Sequence, residues 1–98
     1  MKTLILASLA FIIGSTAAMA ATPLVDQRQH DQAHRIYKGI KNGKLTFQET
    51  GQLLRGQARI YRAERRFKAN GVVTPAERAQ LFWMQTRQDF RIYNKKHN

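Results

Sequence analysis

His30 and His34 stand four residues apart, the spacing at which two imidazoles on one helix can share a metal ion. His97 or Asp31 would have to supply a third ligand, and without one a structural or incidental role is the simpler expectation. A second set of side chains is cationic. Arg55, Arg59, Arg62 and Arg66 recur at three- and four-residue spacing and would form one strip along a helix. Arg65 and Lys68 enlarge that cluster, and Arg87, Arg91, Lys95 and Lys96 form another further on. Such rows are suited to polyanions, and they repel themselves unless acids such as Glu64 and Asp89 relieve them. Tyr61 and Trp83 are candidate aromatic anchors beside these charges. The parts needed for nucleophilic catalysis are missing. Beyond residue 20 there is no serine or cysteine, and the hydroxyls apart from tyrosine are Thr22, Thr46, Thr50, Thr74 and Thr86. There is no glycine-rich phosphate loop either, so no enzyme is expected and no cofactor is implied.

The chain has 98 residues and a formal charge of +11, with 17 Lys and Arg against 6 Asp and Glu. Residues 1–20 have the three parts of a cleavable export signal. Lys2 precedes an apolar run from Leu4 to Gly14, and Ala18-Met19-Ala20 fits a small-x-small cleavage site. A spanning helix needs about 20 apolar residues, and this run is shorter with no basic stop beyond it. Loss of Lys2 with the signal leaves sixteen Lys and Arg against six acids, a net +10 on residues 21–98. Seventy-eight residues make one small domain with a thin core. With no cysteine the domain has no disulfide to stiffen it and no lipid-anchoring site. So basic a domain seeks anionic lipid, lipopolysaccharide, nucleic acid or an acidic protein. Export demotes nucleic acid and favours a periplasmic or secreted address.

The elements that must carry these side chains read as three amphipathic helices. The first spans about 26–41, with Asp26 and Gln29 resembling a capping box and Ala33, Ile36, Tyr37 and Ile40 on one face. The second spans about 47–69, with Phe47, Leu53, Leu54, Ile60, Tyr61 and Phe67 on such a face. The third spans about 75–95 and carries Leu81, Phe82, Ile92 and Tyr93, with Trp83, Met84 and Phe90 close by. Arg-Ile-Tyr recurs at 35–37, 59–61 and 91–93, once per helix. Its simplest reading puts Ile inward, Tyr at the core edge and Arg in solvent. The turns repeat too. Both Asn42 to Glu49 and Asn70 to Glu77 read Asn-Gly-x-aliphatic-Thr-x-x-Glu, 28 residues apart. Gly43 and Gly71 supply positive φ, Thr46 and Thr74 serve as N-caps, and Glu49 and Glu77 close capping boxes. Leu45 and Val73 would meet across a short ladder. Gln57 and Gln85, equivalent in the repeat, would either pair across helices to fix register or lie at the surface.

The turns resemble the EF-hand calcium loop, which places Gly at its sixth position, an aliphatic at its eighth and Glu at its twelfth. Gly43, Leu45 and Glu49 match in one turn, and Gly71, Val73 and Glu77 in the other. Lys38 and Ile40, then Arg66 and Lys68, stand where the family has acidic ligands. The resemblance therefore implies an EF-hand-like scaffold used as structure, without calcium. The chain is also similar to a group of small uncharacterised exported proteins of Gram-negative bacteria. Gln27 to Gln32, Gly43 to Glu49, Lys68 to Thr74 and Arg91 to His97 carry that likeness.

These readings converge on an all-α, three-helix basic domain over residues 21–98, following a signal over 1–20. The expected function is that of an exported cationic protein. It would bind an anionic envelope component or an acidic partner through Arg55, Arg59, Arg62, Arg66, Arg87 and Arg91. Two alternatives are a periplasmic metal-binding or stress-related protein using His30 and His34, and an adaptor docking through apolar surface around Trp83, Met84 and Phe90.

Overall fold

A computed structural model describes residues 21–97. The expected signal, residues 1–20, lies outside them. Three helices follow in order: α1 (Pro23–Lys41), α2 (Phe47–Lys68) and α3 (Pro75–Lys96). The domain is all-α, and no strand occurs among the described residues. No helix among them is long and apolar enough to cross a membrane.

The capping residues set the ends of α2 and α3. Thr46 Oγ1 accepts from Glu49 N at 3.1 Å while Glu49 Oε1 accepts from Thr46 N at 2.9 Å. Thr74 and Glu77 repeat both bonds at the same distances, so each box satisfies two otherwise orphaned amides. Gly43 and Gly71 take φ of 71° and 82°, the left-handed values that end a helix and turn the chain. α1 departs from expectation. Asp26 and Gln29 form no capping box, because the helix begins at Pro23 with Thr22 as N-cap. Proline at the first position loses no hydrogen bond, and Asp26 N already donates to Thr22 O at 2.9 Å. The Thr22 hydroxyl, free of capping duty, donates to Glu64 Oε2 at 2.5 Å.

Leu45 and Val73 do not meet. Leu45 packs with Ile36, Leu53 and Ile92 in one cluster, and Val73 with Ala63, Phe67 and Leu81 in another. The reason is the uninterrupted α2 between them. Its 22 residues rise about 1.5 Å each, so the two turns sit roughly 30 Å apart at opposite ends of the bundle. The buried faces match the expected ones in part: Ile36, Leu53, Ile60, Phe67, Leu81 and Ile92 are buried, whereas Tyr37, Ile40, Leu54 and Tyr61 are not. The buried faces follow Ile36 and Gly39 on α1, Leu53, Gly56, Ile60, Ala63 and Phe67 on α2, and Leu81, Gln85, Gln88 and Ile92 on α3. Phe47, Phe82, Phe90 and the three tyrosines stay largely in solvent. In the recurring Arg-Ile-Tyr, each Ile is buried and each Tyr is half exposed. Its first arginine, Arg35, is not simply solvated, since it pairs with Asp89.

Candidate functional site

Helices α2 and α3 run antiparallel, and polar bonds fix their register. Gln88 Nε2 donates to Leu53 O at 2.8 Å, and Lys95 Nζ donates to Gln52 Oε1 at 2.6 Å. Gly56 faces Gln88 and leaves no room between them for even one methyl group. That close crossing sets Arg55 and Arg59 of α2 beside Arg87, Arg91 and Lys95 of α3. A hollow of about 100 Å³ is lined by Gly56, Arg59, Met84, Arg87, Gln88 and Arg91. It shares Arg59 and Arg91 with an adjoining hollow of about 340 Å³ that reaches Gln52, Arg55 and Lys95. Among the described residues no carboxylate lines either one.

The two acids expected to relieve this charge are engaged elsewhere. Glu64 is buried beneath Thr22, with Lys68 Nζ at 3.5 Å. Asp89 faces α1. Arg28 reaches its Oδ2 from Nη2 at 2.7 Å and from Nε at 3.1 Å. Its Oδ1 receives Gln32 Nε2 at 2.7 Å and Arg35 Nη1 at 3.0 Å. Arg28 also donates to Thr86 Oγ1 at 3.0 Å. The α1–α3 face thus has a carboxylate shared by two of its arginines, and the hollows of the α2–α3 groove have none.

These partners shift both carboxyls. Burial alone would raise Asp89, but hydrogen bonds from Gln32 and Arg28 and the charges of Arg28 and Arg35 outweigh it and hold the group below its usual range. Asp89 therefore contributes stability above the ordinary aspartate value, and this is lost as pH falls through its lowered one. Unfolding measured across a pH series should show that loss below about pH 4, and Asp89→Asn should flatten it. Glu64 has the opposite sign. Burial first, then its contact with Asp26, raises it, so its contribution diminishes as pH climbs above the ordinary glutamate range.

Of the residues singled out in the sequence, Arg55, Arg59, Arg87 and Arg91 come together in the groove. Arg62 and Arg66 continue the same strip along α2 but line neither hollow, and Arg66 lies over the Phe67 ring at 5.4 Å. Trp83 is 60% exposed and precedes Arg87 by one helical turn, so it lies with Phe90 on the side of α3 that carries Arg87, outside both hollows. Tyr61 does not. It borders an apolar hollow between α1 and α2 with His30 and Leu54, and Arg65 lies 5.8 Å from its ring. His97 stacks on Tyr93 with ring centroids 4.0 Å apart. Among the described residues no three His, Cys, Asp or Glu side chains are grouped to hold a metal.

Gln57 and Gln85 do not pair with each other. Gln85 Nε2 donates to Val25 O at 2.9 Å, and Gln57 Nε2 donates to Gln29 Oε1 at 2.9 Å. The amide that ties α2 to α3 is Gln88. Sequence reasoning missed it, along with Gly56 and the place of Lys95 in the groove. The signal was there: 81, 85, 88 and 92 recur at helical spacing through two glutamines. No protein family, curated protein or solved structure matches the chain.

Proposed function

We propose that the protein is exported, matures by loss of residues 1–20, and binds an anionic envelope surface through the α2–α3 groove. The signal-like segment supports the address. One observation carries the binding: Arg55, Arg59, Arg87, Arg91 and Lys95 line two adjoining hollows that share Arg59 and Arg91, with no carboxylate among the lining residues. On a small domain this repulsion costs stability in isolation, and a bound anion offsets it. Trp83 and Phe90, 60% and 64% exposed, stand on the same side of α3 as Arg87. Aromatic rings beside guanidinium groups suit a lipid–water interface, where rings enter the headgroup layer and cations meet phosphate. That placement favours a lipid surface over an acidic protein. Among the described residues the metal reading lacks a grouped third ligand for His30 and His34, and the apolar-docking reading leaves the clustered cations without a role.

Vesicle co-sedimentation tests the proposal. The protein should bind vesicles containing anionic lipid and ignore pure phosphatidylcholine. Binding should fall at least tenfold between about 0.1 M and 1 M salt, as the screening length shrinks from ~10 to ~3 Å. Equal binding at both salt concentrations would reject an electrostatic surface site.

A further inference from the structure

Three side-chain oxygens are buried without a hydrogen-bond partner among the described residues: Oε1 of Gln32, Gln57 and Gln88. Of these residues only Gln88 lines the basic groove, with Arg59, Arg87 and Arg91 around the same hollow. Gln88 is 1% exposed. Its Nε2 is committed to Leu53 O, which fixes the amide's orientation, so the free atom is an acceptor. None of the three surrounding guanidinium groups donates to it. A buried acceptor left unpaired is costly, and native proteins rarely keep one without a use. Oε1 lies against Gly56, which lines the same hollow, and the arginines around that hollow are exposed and long, so they can rearrange about an anion that enters it.

Resting on the reading of this groove as an anion site, we infer that below the ester's second pKa of about 6 it selects a phosphomonoester over other monoanions. A phosphomonoester monoanion carries both things the groove needs. Its charged oxygens meet Arg59, Arg87 and Arg91, and its one remaining P–O–H donates to Gln88 Oε1. A sulfate ester or a phosphodiester offers the same single charge and no such proton. Among monoanions electrostatics alone does not tell these ligands apart, and the buried acceptor does. The phosphoryl group belongs either to a soluble ester or to the terminal phosphate of a lipid headgroup.

Methyl phosphate and methyl sulfate separate the two contributions. At pH 5, below the monoester's second pKa of about 6, both are monoanions of similar shape and differ by one O–H. Titration of the purified protein, followed at the Gln88 side-chain amide by NMR, should show methyl phosphate binding about tenfold tighter, the effect of one hydrogen bond to a buried acceptor. Phosphatidylcholine vesicles carrying phosphatidic acid or phosphatidylmethanol form the second pair. A preference in the soluble pair assigns the site to a free ester, and one in the vesicle pair alone assigns it to a lipid headgroup. Gln88→Met, of similar volume, should erase the preference. No preference in either pair overturns the inference. If salt-sensitive vesicle binding persists in that case, the anionic-surface function stands, and its loss as well would reject both.

Discussion

Replacing Arg59 and Arg91 together by Glu is expected to abolish binding to anionic vesicles at moderate salt. Both residues line both hollows of the groove. Each cation near an anionic surface contributes about 1 kcal/mol. Two reversals remove two attractions and add two repulsions, about 4 kcal/mol in all, or roughly a thousandfold in affinity. Neither side chain makes an ion pair that holds the fold, so thermal stability should rise slightly as self-repulsion falls. The matched comparison is Arg62→Glu with Arg66→Glu. It makes the same change in net charge on the same strip of α2 outside the groove, and should retain most of the binding. Equal losses from the two double variants would show that net charge alone governs binding and that the groove has no special part.

Gly56→Ala is expected to destabilise the domain by about 2–4 kcal/mol. The added methyl would collide with Gln88 Oε1 and lie 2.8 Å from its Cδ and 2.9 Å from its Nε2. Gln88 is buried and tied to Leu53 O, so it has little room to retreat. Overpacking costs about 1–3 kcal/mol and a stranded buried carbonyl about 1–3. Better helix propensity returns about 1 kcal/mol. For a domain of this size the midpoint of thermal unfolding should fall by roughly 10 °C or more. The same substitution at Gly51 should have the opposite sign. A methyl there meets only Arg55 Nη1, at an ordinary 3.6 Å, so up to about 1 kcal/mol of propensity is gained. A Gly56→Ala variant as stable as the parent would mean that α2 and α3 do not approach this closely.

Much of this architecture was legible before any coordinates. Thr46 with Glu49 and Thr74 with Glu77 are local devices. Their bonds join residues three apart, so spacing alone predicts them. Gly43 and Gly71 are likewise local, since a positive φ needs no distant partner. The buried stripe was only half legible. The alternative faces of α2 and α3 each hold large apolar side chains, and the face with the bigger rings looks more hydrophobic. The helices instead bury the face with small residues and amides. Gly56, Ala63, Gln85 and Gln88 permit close backbone approach and supply cross-helix hydrogen bonds. Phe82, Trp83 and Phe90 are too large for that contact and remain outside.

The site divides along the same line. Composition and spacing specify a small, strongly basic chain of three helices, the second and third closed by capping boxes, with a strip of arginines along the second. Composition and i, i+3, i+4 spacing are local facts, and local facts suffice for them. Only the tertiary structure decided which charges remain unpaired. Asp89 turned to Arg28 and Arg35 of α1 because its side of α3 packs there, and Glu64 went beneath Thr22. The same packing brought Arg87, Arg91 and Lys95 to the strip and moved Tyr61 away from it. Pairing between groups more than forty residues apart depends on which helix faces touch, and those faces are chosen by the close packing of Gly56 on Gln88. No spacing within a single helix encodes that choice.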